Sequence, residues 1–378
     1  MKSVKVNNMK KFSVVMGTNY GDEGKGLTTD WLSGSENPND ETRAVARFCG
    51  GANAGHTVEL DDGTRHVFGH LGSGTLCDLT TILTRDFIVN PILFWKEKER
   101  LGRFSPVIVD PRCRVSTPLD VILNQEKERT RDNNRHGSTG VGINETVVRD
   151  ESGVHLTVED LKAERIDLTN IKEYFRSEIN KINPEYDFSS IDDSLNRFLV
   201  DAKDFIDYVY IHEDEKAIEH YDHVIFEGSQ GLMLDENSDD FPHVTRASTG
   251  TTNLVKFFEK FSDREIDLYY ITRSYLTRHG AGPMRTQQPD MYFYDQTNQP
   301  NEFQGTMKFG KLDFERMQDV VLKDLKNVQP FINRTSINTM MTWYNEEDRS
   351  SSEKFAQSIN AHNQFVATGK TRSSVIKL

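Results

Sequence analysis

A glycine-rich stretch, Gly17 to Gly26, follows directly on the apolar run Phe12 to Met16 and reads Gly-Thr-Asn-Tyr-Gly-Asp-Glu-Gly-Lys-Gly. A short apolar run that ends at glycine is typical of a buried strand, so the sequence predicts a strand that leads into a tight loop. Glycines let backbone N–H groups close around phosphate oxygens, the start of a following helix adds positive potential, and Lys25 supplies a point charge. The pattern therefore indicates phosphate binding in an α/β fold.

The spacing of this loop differs from that of the usual P-loop. Counting back from Lys25, Asn19 stands where the first glycine of a P-loop belongs, and Gly26 follows the lysine, so no hydroxyl is available there for magnesium. A P-loop kinase or GTPase is therefore disfavoured. Phosphate chemistry is still indicated, because Asp22, Glu23 and Lys25 lie together beside a buried strand.

Apolar runs recur along the chain and alternate with loops and helical patterns. They lie at 44–48, 82–84, 87–89, 107–109, 223–226 and 268–271, and a helical run begins near Pro91. This alternation predicts a single α/β body over residues 1–378, with a central, mostly parallel sheet flanked by helices. Residues 155–220 are charged and helical in period, which predicts a mainly helical insertion. The polar stretch Asn345 to Lys354 predicts a surface loop.

Glycine turns follow two further predicted strands. Glu227 to Gly231 comes after the run 223–226, and Thr277 to Pro283 comes after the run 268–271. The carboxyl ends of parallel strands meet at one edge of a sheet, and ligands bind there. We therefore expect these turns to converge with the first glycine-rich loop.

Composition limits the kinds of partner and compartment. The 378 residues carry a net charge of −13, which argues against general binding to nucleic acid or to an acidic membrane and favours small-molecule partners. The three cysteines are widely spaced, without the pattern of a zinc site or a disulfide framework. No apolar run approaches the ~20 residues of a membrane span, and the first eleven residues lack the apolar core of a signal peptide. We expect a cytoplasmic protein.

Two further loops carry candidate site residues. Gly50 to Thr57 reads Gly-Gly-Ala-Asn-Ala-Gly-His-Thr, and its glycines permit a close approach of the backbone to a ligand. In that loop Asn53 can bind an amide or a phosphate, and His56 can donate a proton. Gly137 to Gly142, which reads Gly-Ser-Thr-Gly-Val-Gly, is a third candidate phosphate loop, although such stretches are more often simple turns.

Six segments together resemble the adenylosuccinate synthetase family, and they occur in the family's order over nearly the whole chain. They are Gly-Asp-Glu-Gly-Lys-Gly at 21–26, Asn-Ala-Gly-His-Thr at 53–57, Gly-Ser-Thr-Gly at 137–140, Phe-Glu-Gly-Ser-Gln-Gly at 226–231, Pro-His-Val-Thr at 242–245 and Thr-Arg-His-Gly-Ala-Gly-Pro at 277–283. The resemblance implies a homodimer whose fold is related to P-loop NTPases, and a carbon–nitrogen ligase reaction that depends on Mg²⁺. In that reaction the γ-phosphoryl group of a nucleoside triphosphate goes to O6 of a 6-oxopurine monophosphate, and the amine of L-aspartate then displaces the phosphate.

The resemblance also implies roles for residues of this chain. Catalysis is implied for Asp22, Lys25 and His56, with Asp22 removing the N1 proton of the purine and His56 donating to the transferring phosphoryl group. Mg²⁺ is implied at Asp22 and at the Gly55 carbonyl. The triphosphate is implied to contact Gly21, Glu23, Gly24, Lys25, Gly26, Gly55, His56 and Thr57. The purine monophosphate is implied to contact Asn53, Ser138, Thr139, Arg149, Gln230 and Thr245, with Arg149 reaching the 5′-phosphate across the dimer interface.

Two departures from the family concern the phosphoryl donor. The family usually takes GTP and reads guanine with a Lys-x-Asp element on a late strand and a Gly-Pro-Asp turn near the C-terminus. Here the first region reads Phe-Ile-Asn-Arg-Thr-Ser-Ile-Asn-Thr at 331–339 and the second reads Thr-Gly-Lys-Thr-Arg at 368–372. A carboxylate accepts hydrogen bonds from N1–H and the 2-amino group of guanine, and adenine has neither donor. We therefore expect ATP or dATP as the donor.

The loop that resembles the family's aspartate loop is also altered. Gly305 to Asp313 lacks the family's arginines, so aspartate binding is assigned to Lys308 and Thr306, and Val141 replaces an arginine expected after Gly140. One of the lost arginines normally approaches the ribose 2′-hydroxyl. Its loss points toward a deoxynucleotide substrate.

The acceptor nucleotide is left with two readings. These departures resemble the phage-type branch of the family, which acts on dGMP to make the succino precursor of 2-aminoadenine deoxynucleotide. Asp22 argues for IMP, since well-known members of that branch carry serine there, although a carboxylate can also accept from the 2-amino group of guanine. We favour dGMP, with IMP as the alternative. A non-catalytic nucleotide-binding regulator is a further alternative, disfavoured because Asp22, Lys25 and His56 are all retained.

Overall fold

A ten-stranded sheet forms the centre of the computed structural model, which describes residues 10–34, 42–103, 105–131, 136–298 and 305–378. In chain order the strands of the described residues are β1 (Lys11–Gly17), β2 (Arg43–Arg47), β3 (His56–Glu59), β4 (Arg65–Phe68), β5 (Thr80–Leu83), β6 (Ile88–Val89), β7 (Val107–Val109), β8 (Arg114–Val115), β9 (Tyr210–Ile211), β10 (His223–Gly231), β11 (Glu265–Arg273), β12 (Leu276–Arg278), β13 (Lys308–Gly310), β14 (Thr335–Thr342), β15 (Asn363–Ala367) and β16 (Val375–Lys377).

Helices cover both faces of this sheet, as its parallel strands require. They are α1 (Lys25–Gly34), α2 (Pro91–Leu101), α3 (Pro118–Thr130), α4 (Ile143–Glu151), α5 (Val158–Leu161), α6 (Thr169–Ile182), α7 (Ile191–Tyr208), α8 (Asp214–Glu219), α9 (Val255–Lys260), α10 (Phe314–Val328) and α11 (Arg349–Ser358).

The strand order of the central sheet is β16-β15-β14-β11-β1-β10-β2-β5-β7-β9. Every neighbouring pair is parallel except β15 with β16, which is antiparallel. The strand before the glycine-rich loop, β1, therefore lies between β10 and β11, which carry the two other glycine motifs at their carboxyl ends. The predicted single α/β body with a mostly parallel sheet is confirmed.

Two apolar clusters stabilise the two halves of the sheet. Around β1, the rings of Phe12 and Phe226 meet edge to face with centroids 5.2 Å apart, and helices α9, α10 and α11 pack on this side. Under the other half, Phe94 packs on Phe205 of α7 with centroids 4.9 Å apart. Burial of large aromatic side chains contributes about 2 kcal/mol each, so these clusters hold the strand ends in a fixed arrangement.

Residues 155–220 contain α5, α6, α7 and α8 together with the short strand β9. Helices α6 and α7 bury one apolar face each, through Ile171, Phe175 and Ile179 on α6 and through Leu195 and Phe198 on α7. Strand β9 pairs with β7 and forms the far edge of the central sheet. This segment is thus joined to the sheet by a strand as well as by helix packing, and its being an insertion stays a prediction.

Two local predictions are wrong. The stretch Asn345 to Lys354, predicted as a surface loop, begins with a short 3₁₀ turn and then enters α11. Asn345 and Asp348 form a capping box at its start, and the buried side chain of Phe355 anchors the helix. The predicted glycine turn Glu227 to Gly231 is instead the end of strand β10. A Cβ atom on Gly231 would stand 2.2 Å from the carbonyl oxygen of Asn19, so glycine there permits close approach of the first loop.

Among the described residues, no helix has both the length and the apolar character needed to cross a membrane.

Candidate active site

A cavity of about 830 Å³ opens at the carboxyl ends of β1, β10, β11 and β14. The glycine-rich loop after β1 forms one wall. The other walls come from segments far apart in sequence, namely 53–57, 137–139, 229–230, 241–246, 278–279, 294–298 and 368–370. Cavities of this size accommodate nucleotide-sized ligands, and this position is the usual ligand site of a parallel sheet.

Most of the site residues expected from sequence line this one cavity. They are Gly21, Asp22, Glu23, Gly24, Lys25, Gly26, Asn53, Gly55, His56, Thr57, Ser138, Thr139, Gln230 and Thr245. The three that do not line it are Arg149, Thr306 and Lys308.

The glycine-rich loop is held by hydrogen bonds inside the loop itself. Gly21 and Gly24 have φ angles of 103° and 96°, which glycine adopts without strain. The Glu23 carboxylate accepts from the backbone N–H groups of Asn19 (3.1 Å) and Gly21 (2.8 Å), and it pairs with Lys25 Nζ at 2.6 Å. Glu23 therefore shapes the loop and places Lys25, and its side chain is almost fully buried.

His56 begins β3, directly beside the start of α1. A Cβ atom on Gly26 would lie 2.7 Å from the Thr57 carbonyl oxygen, so only glycine at position 26 allows the two segments to approach this closely. His56 Nδ1 pairs with Glu227 Oε1 at 2.6 Å, and its Nε2 lies 3.2 Å from the Ser229 carbonyl oxygen. Glu227 thus fixes the plane of the imidazole ring.

The charge state of this pair follows from burial and from the neighbouring cations. Burial raises the pKa of Glu227, but His56 and Arg47 together lower it to about 2, so Glu227 is an anion at neutral pH. Burial lowers the pKa of His56, an effect that Glu227 opposes and Arg47 reinforces. Both ring nitrogens of His56 face acceptors, so the ring donates at both positions only as the imidazolium, the form that the Glu227 anion stabilises.

Asp22 has a φ angle of 61°, in the left-handed region that aspartate tolerates better than most residues. Its Oδ2 lies 3.1 Å from His279 Nε2, and its carbonyl oxygen accepts a hydrogen bond from Arg273 Nε. Burial raises the pKa of Asp22, but His279, Arg273 and Lys25 outweigh burial and hold the pKa well below its usual range. The ionised carboxylate is therefore available as a proton acceptor or a metal ligand.

Three functional neighbours were missed by sequence reasoning, namely Glu227, Arg273 and His279. Glu227 and His279 lie inside motifs that were recognised. The local pattern does not indicate, however, that Glu227 contacts His56 or that His279 contacts Asp22. Their partners stand 171 and 257 positions away, so only the folded sheet brings them together.

The residues predicted to contact the monophosphate, apart from Arg149, belong to the lining of this cavity. Ser138 Oγ accepts from Asn124 Nδ2 at 3.0 Å, which orients the 137–139 turn. The side-chain oxygen of Asn53 is shielded from solvent and has no hydrogen-bond partner within the described ranges. Because an amide presents donors or an acceptor according to its rotation, Asn53 is a polar group with capacity left for a ligand.

Arg149 lies outside this cavity, and the contact expected for it is with a 5′-phosphate across a dimer interface. Its guanidinium forms a buried ion pair with Asp120 (2.8 and 3.1 Å) and donates to the carbonyl oxygens of Val154 and Val115. Only 1% of the side chain is exposed. With its donors engaged inside the subunit, Arg149 ties α4 to α3, and its contact with a 5′-phosphate stays a prediction.

The two residues assigned to aspartate binding also lie beyond the cavity wall. Thr306 is exposed. Lys308 Nζ donates to the carbonyl oxygen of Gly282 at 2.5 Å, and Gly282 itself lines the cavity. Burial and the nearby Arg278 lower the pKa of Lys308.

The cavity suits Mg²⁺ bound together with phosphates. Mg²⁺ typically takes one or two protein carboxylates, its other ligands being water and phosphate oxygens. Asp22 and the Gly55 carbonyl both belong to the lining, and Asp22 is ionised. Within the described part of the chain no cluster of three or more histidine, cysteine or carboxylate side chains could hold a metal alone. The fit is therefore to a metal that arrives with the nucleotide.

A family model described as adenylosuccinate synthetase matches residues 14–317, which include the glycine-rich loop and most of the cavity wall. The chain belongs to the adenylosuccinate synthetase family. Members of this family are carbon–nitrogen ligases, so the predicted enzyme class is confirmed.

Curated adenylosuccinate synthetases match most of the chain at moderate identity. The enzyme of Flavobacterium johnsoniae is 29% identical over 308 residues, which cover 77% of this chain and 69% of the relative. The enzyme of Staphylococcus aureus strain N315 is 29% identical over 292 residues, or 72% of this chain and 65% of the relative. The chain thus spans about two thirds of the length of these synthetases.

Two solved structures share the adenylosuccinate synthetase fold with this chain. Fully ligated adenylosuccinate synthetase from Plasmodium falciparum superposes with a TM-score of 0.73 at 17% identity, covering 98% of this chain and 100% of that one. The succinoaminodeoxyadenylate synthetase (PurZ) of cyanophage S-2L, bound to dGMP and to dATP as an energy donor, gives a TM-score of 0.61 at 16% identity, covering 98% and 95%. At these identities the likeness shows the fold alone.

Proposed function

We propose that this chain joins L-aspartate to C6 of dGMP at the expense of ATP or dATP. The products are N6-succino-2-amino-2′-deoxyadenylate, phosphate and ADP or dADP. The succino nucleotide would serve the synthesis of DNA that contains 2-aminoadenine. The observation that carries the ligase reaction is the single cavity in which Asp22, Lys25 and His56 meet Asn53, Thr139, Gln230 and Thr245. Family membership supports the reaction class.

In the first step, O6 of the purine attacks the γ-phosphorus of the triphosphate. Asp22 accepts the N1 proton, which makes O6 nucleophilic, and ADP or dADP leaves with the electron pair of its bond to the γ-phosphorus. Lys25 and His56 donate to the phosphoryl oxygens on which charge develops. Asp22 and the Gly55 carbonyl would hold Mg²⁺ together with the nucleotide, and the metal would supply further neutralisation of phosphate charge.

In the second step, the aspartate amine attacks C6, the C6–O6 bond breaks, and the phosphate leaves C6 with O6, the electron pair of that bond and, in net, one proton of the amine. His56 again stabilises the leaving oxygens, and Glu227 keeps the ring in place during both steps. Lys308 is the proposed cation for an aspartate carboxylate, since its Nζ lies against the wall at Gly282. Thr306 is kept as a proposed neighbour of the same substrate.

The proposed phosphoryl donor follows from the lack of a carboxylate that would recognise guanine. The turn at 368–370 lines the cavity, and it carries Thr368 and Lys370 without a carboxylate in the described wall of that turn. A site without an acceptor for N1–H and the 2-amino group loses the hydrogen bonds that select guanine, a difference of about 10²–10⁴ in specificity. ATP and dATP are therefore the proposed donors.

IMP is the second candidate acceptor, and Asp22 is the observation that favours it. A carboxylate at this position resembles the enzymes that act on IMP. It is also compatible with guanine, whose 2-amino group is a donor, so the acceptor is a matter for direct measurement.

The test is a substrate matrix read by mass spectrometry. IMP, dIMP, GMP and dGMP are each combined with ATP, dATP or GTP in the presence of L-aspartate and Mg²⁺. We expect a succinylated product from dGMP with an adenine triphosphate. Product from IMP alone would assign the chain to AMP synthesis, and no product from any pair would favour a nucleotide-binding regulator. Omission of aspartate is the control, since phosphoryl transfer without it would indicate a kinase.

A further inference from the structure

Two successive carbonyl groups of the glycine-rich loop are bound by side chains from two neighbouring strands. The Asp22 carbonyl accepts from Arg273 Nε, and the Glu23 carbonyl accepts from Thr342 Oγ1 at 2.8 Å. Arg273 ends β11 and Thr342 ends β14, and the two residues are register partners in the parallel pair. We name this pair of side chains the carbonyl clamp.

The clamp sits where the loop backbone needs support. Gly21, Asp22 and Gly24 all have positive φ angles, which turn successive N–H groups to one side of the loop and the carbonyls to the other. A carbonyl group that faces the protein interior needs a hydrogen-bond donor from the protein, because water does not reach it there. Thr342 is 2% exposed, so its hydroxyl meets the Glu23 carbonyl in a dry contact.

Contacts around the clamp leave little freedom to either side chain. A Cβ atom on Gly24 would stand 2.7 Å from Thr342 Cγ2, which shows that loop and strand are in van der Waals contact. Arg273 also donates to Tyr275 Oη (3.2 Å) and Asp295 Oδ2 (3.4 Å), and its guanidinium lies 5.5 Å from the centroid of the Trp343 ring. The clamp is therefore part of the rigid sheet end and carries that rigidity to Asp22.

The geometry points to Arg273 and Thr342 as positioning residues that hold the glycine-rich loop in its phosphate-binding conformation and fix Asp22. The kinetic part of this inference rests on the proposed function. The structural part does not, because it concerns the loop in the free protein.

The structural part is tested by hydrogen exchange of the backbone amides at 18–26 in the ligand-free protein, followed by mass spectrometry. Thr342→Val keeps the shape and removes the donor, and we expect these amides to exchange about 10-fold faster than in the wild type, as for a locally freed segment. Thr342→Ser keeps the hydroxyl and should restore slow exchange. Thr339→Val is the matched control, since Thr339 lies buried on the same strand and its hydroxyl has no partner among the described residues.

The kinetic part uses the same variants with the nucleotide pair that the wild type turns over. We expect kcat of Thr342→Val to fall by about 10-fold while the aspartate KM stays within about twofold, because misplacing Asp22 affects the chemical step more than aspartate binding. Arg273→Lys, which keeps the charge and one donor, should lose less kcat than Arg273→Gln.

The inference would be overturned if the amides at 18–26 of Thr342→Val exchanged at the wild-type rate. It would also be overturned if Thr339→Val accelerated their exchange as much as Thr342→Val does. If Thr342→Val fails to fold, Arg273→Lys and Arg273→Gln carry the exchange measurement with the same criterion. A wild-type protein that makes no succinylated product, but whose loop loosens in Thr342→Val, would remove the proposed function and leave the clamp intact.

Discussion

His56 is the residue whose role depends most on a single partner. Its Nδ1 pairs with the buried Glu227 carboxylate, which also accepts from the Ser73 N–H and hydroxyl. This arrangement commits Nδ1–H to Glu227, so Nε2, which faces the Ser229 carbonyl oxygen at 3.2 Å, is the atom that can serve the ligand, and it donates there when the ring is protonated. The same division of labour between two ring nitrogens recurs wherever a carboxylate orients a catalytic histidine.

We expect His56→Asn to lower kcat by about 10²–10³ without unfolding the protein, since one donor to a developing anionic charge is lost. Glu227→Gln should lose less, because the amide oxygen can still accept from Nδ1–H. His155→Asn is the matched control: His155 also pairs with a carboxylate, Asp150 at 2.6 Å, but is 64% exposed and outside the cavity. Steady-state rates and thermal melting decide the outcome, and near wild-type kcat in His56→Asn would refute the role.

Local motifs predict which residues line the cavity, but they do not predict which of these residues contact one another. Asp22, Lys25 and His56 could be predicted because each lies in a short glycine-rich pattern with a direct chemical meaning. Arg273 could not, because its importance arises only when β11 and β14 align. The ion pair of Arg149 with the buried Asp120 could not be predicted either, because the two residues meet only when α4 packs on α3.

Helix α1, which begins in the phosphate loop, is tied to the C-terminal segment by an ion pair. Arg372 donates from Nη2 and Nε to the two oxygens of Asp30, at 2.6 and 2.8 Å, and Asp30 is fully buried. Burial raises the pKa of Asp30 to about 6, although Arg372 opposes the shift. The same segment supplies 368–370 to the cavity wall, so this pair connects two parts of the site.

Removal of the guanidinium in Arg372→Gln should leave Asp30 buried without its cation and destabilise the protein by about 3 kcal/mol at pH 8. Asp30 has a folded pKa above its usual value of 3.8, so its contribution to stability is full below pH 3.8 and is lost as pH rises through about 6. The effect of Arg372→Gln should therefore be smaller at pH 5, where the carboxyl is largely neutral. Urea unfolding at both values checks this.

An equal loss of stability at pH 5 and pH 8 would contradict the charge argument. The control is Arg349→Gln, because Arg349 also pairs with a carboxylate, Glu353 at 3.1 Å, but both side chains are exposed. Exposed pairs of this kind contribute about 0–1 kcal/mol, so little change is expected at either pH.

Elements with a clear apolar period were predicted, and polar ones were not. The strand ahead of the glycine-rich loop is buried along its length, which makes its pattern unmistakable. Helix α11 reads as a loop in sequence because Arg349 to Glu353 contains no apolar residue and its buried contacts, at Phe355 and Ala356, come later. The capping box before it was the signal that went unused.

At the scale of the molecule, the resemblance implies a homodimer, and we expect light scattering after size exclusion to give twice the 43.3 kDa of the chain. Because Arg149 is engaged within its own subunit, this association is not expected to depend on it. A mass of one chain across the concentrations used in the assay would contradict the prediction. Net charge of −13 makes salt a necessary variable, since like-charged subunits repel more strongly at low ionic strength.

Strand β9 stands at one edge of the ten-stranded sheet, four places from β10, whereas the cavity is built around β1, β10, β11 and β14. The helices on either side of β9 are therefore constrained by packing and not by phosphate binding. Substitutions in α6 that alter its packing on α3 can reach the site, because α3 carries Asn124 in the cavity wall, whereas the β9 edge itself is separated from the chemistry by the width of that half-sheet. For protein engineering, this edge is the place at which a foreign module could be grafted while the nucleotide-binding loops keep their geometry.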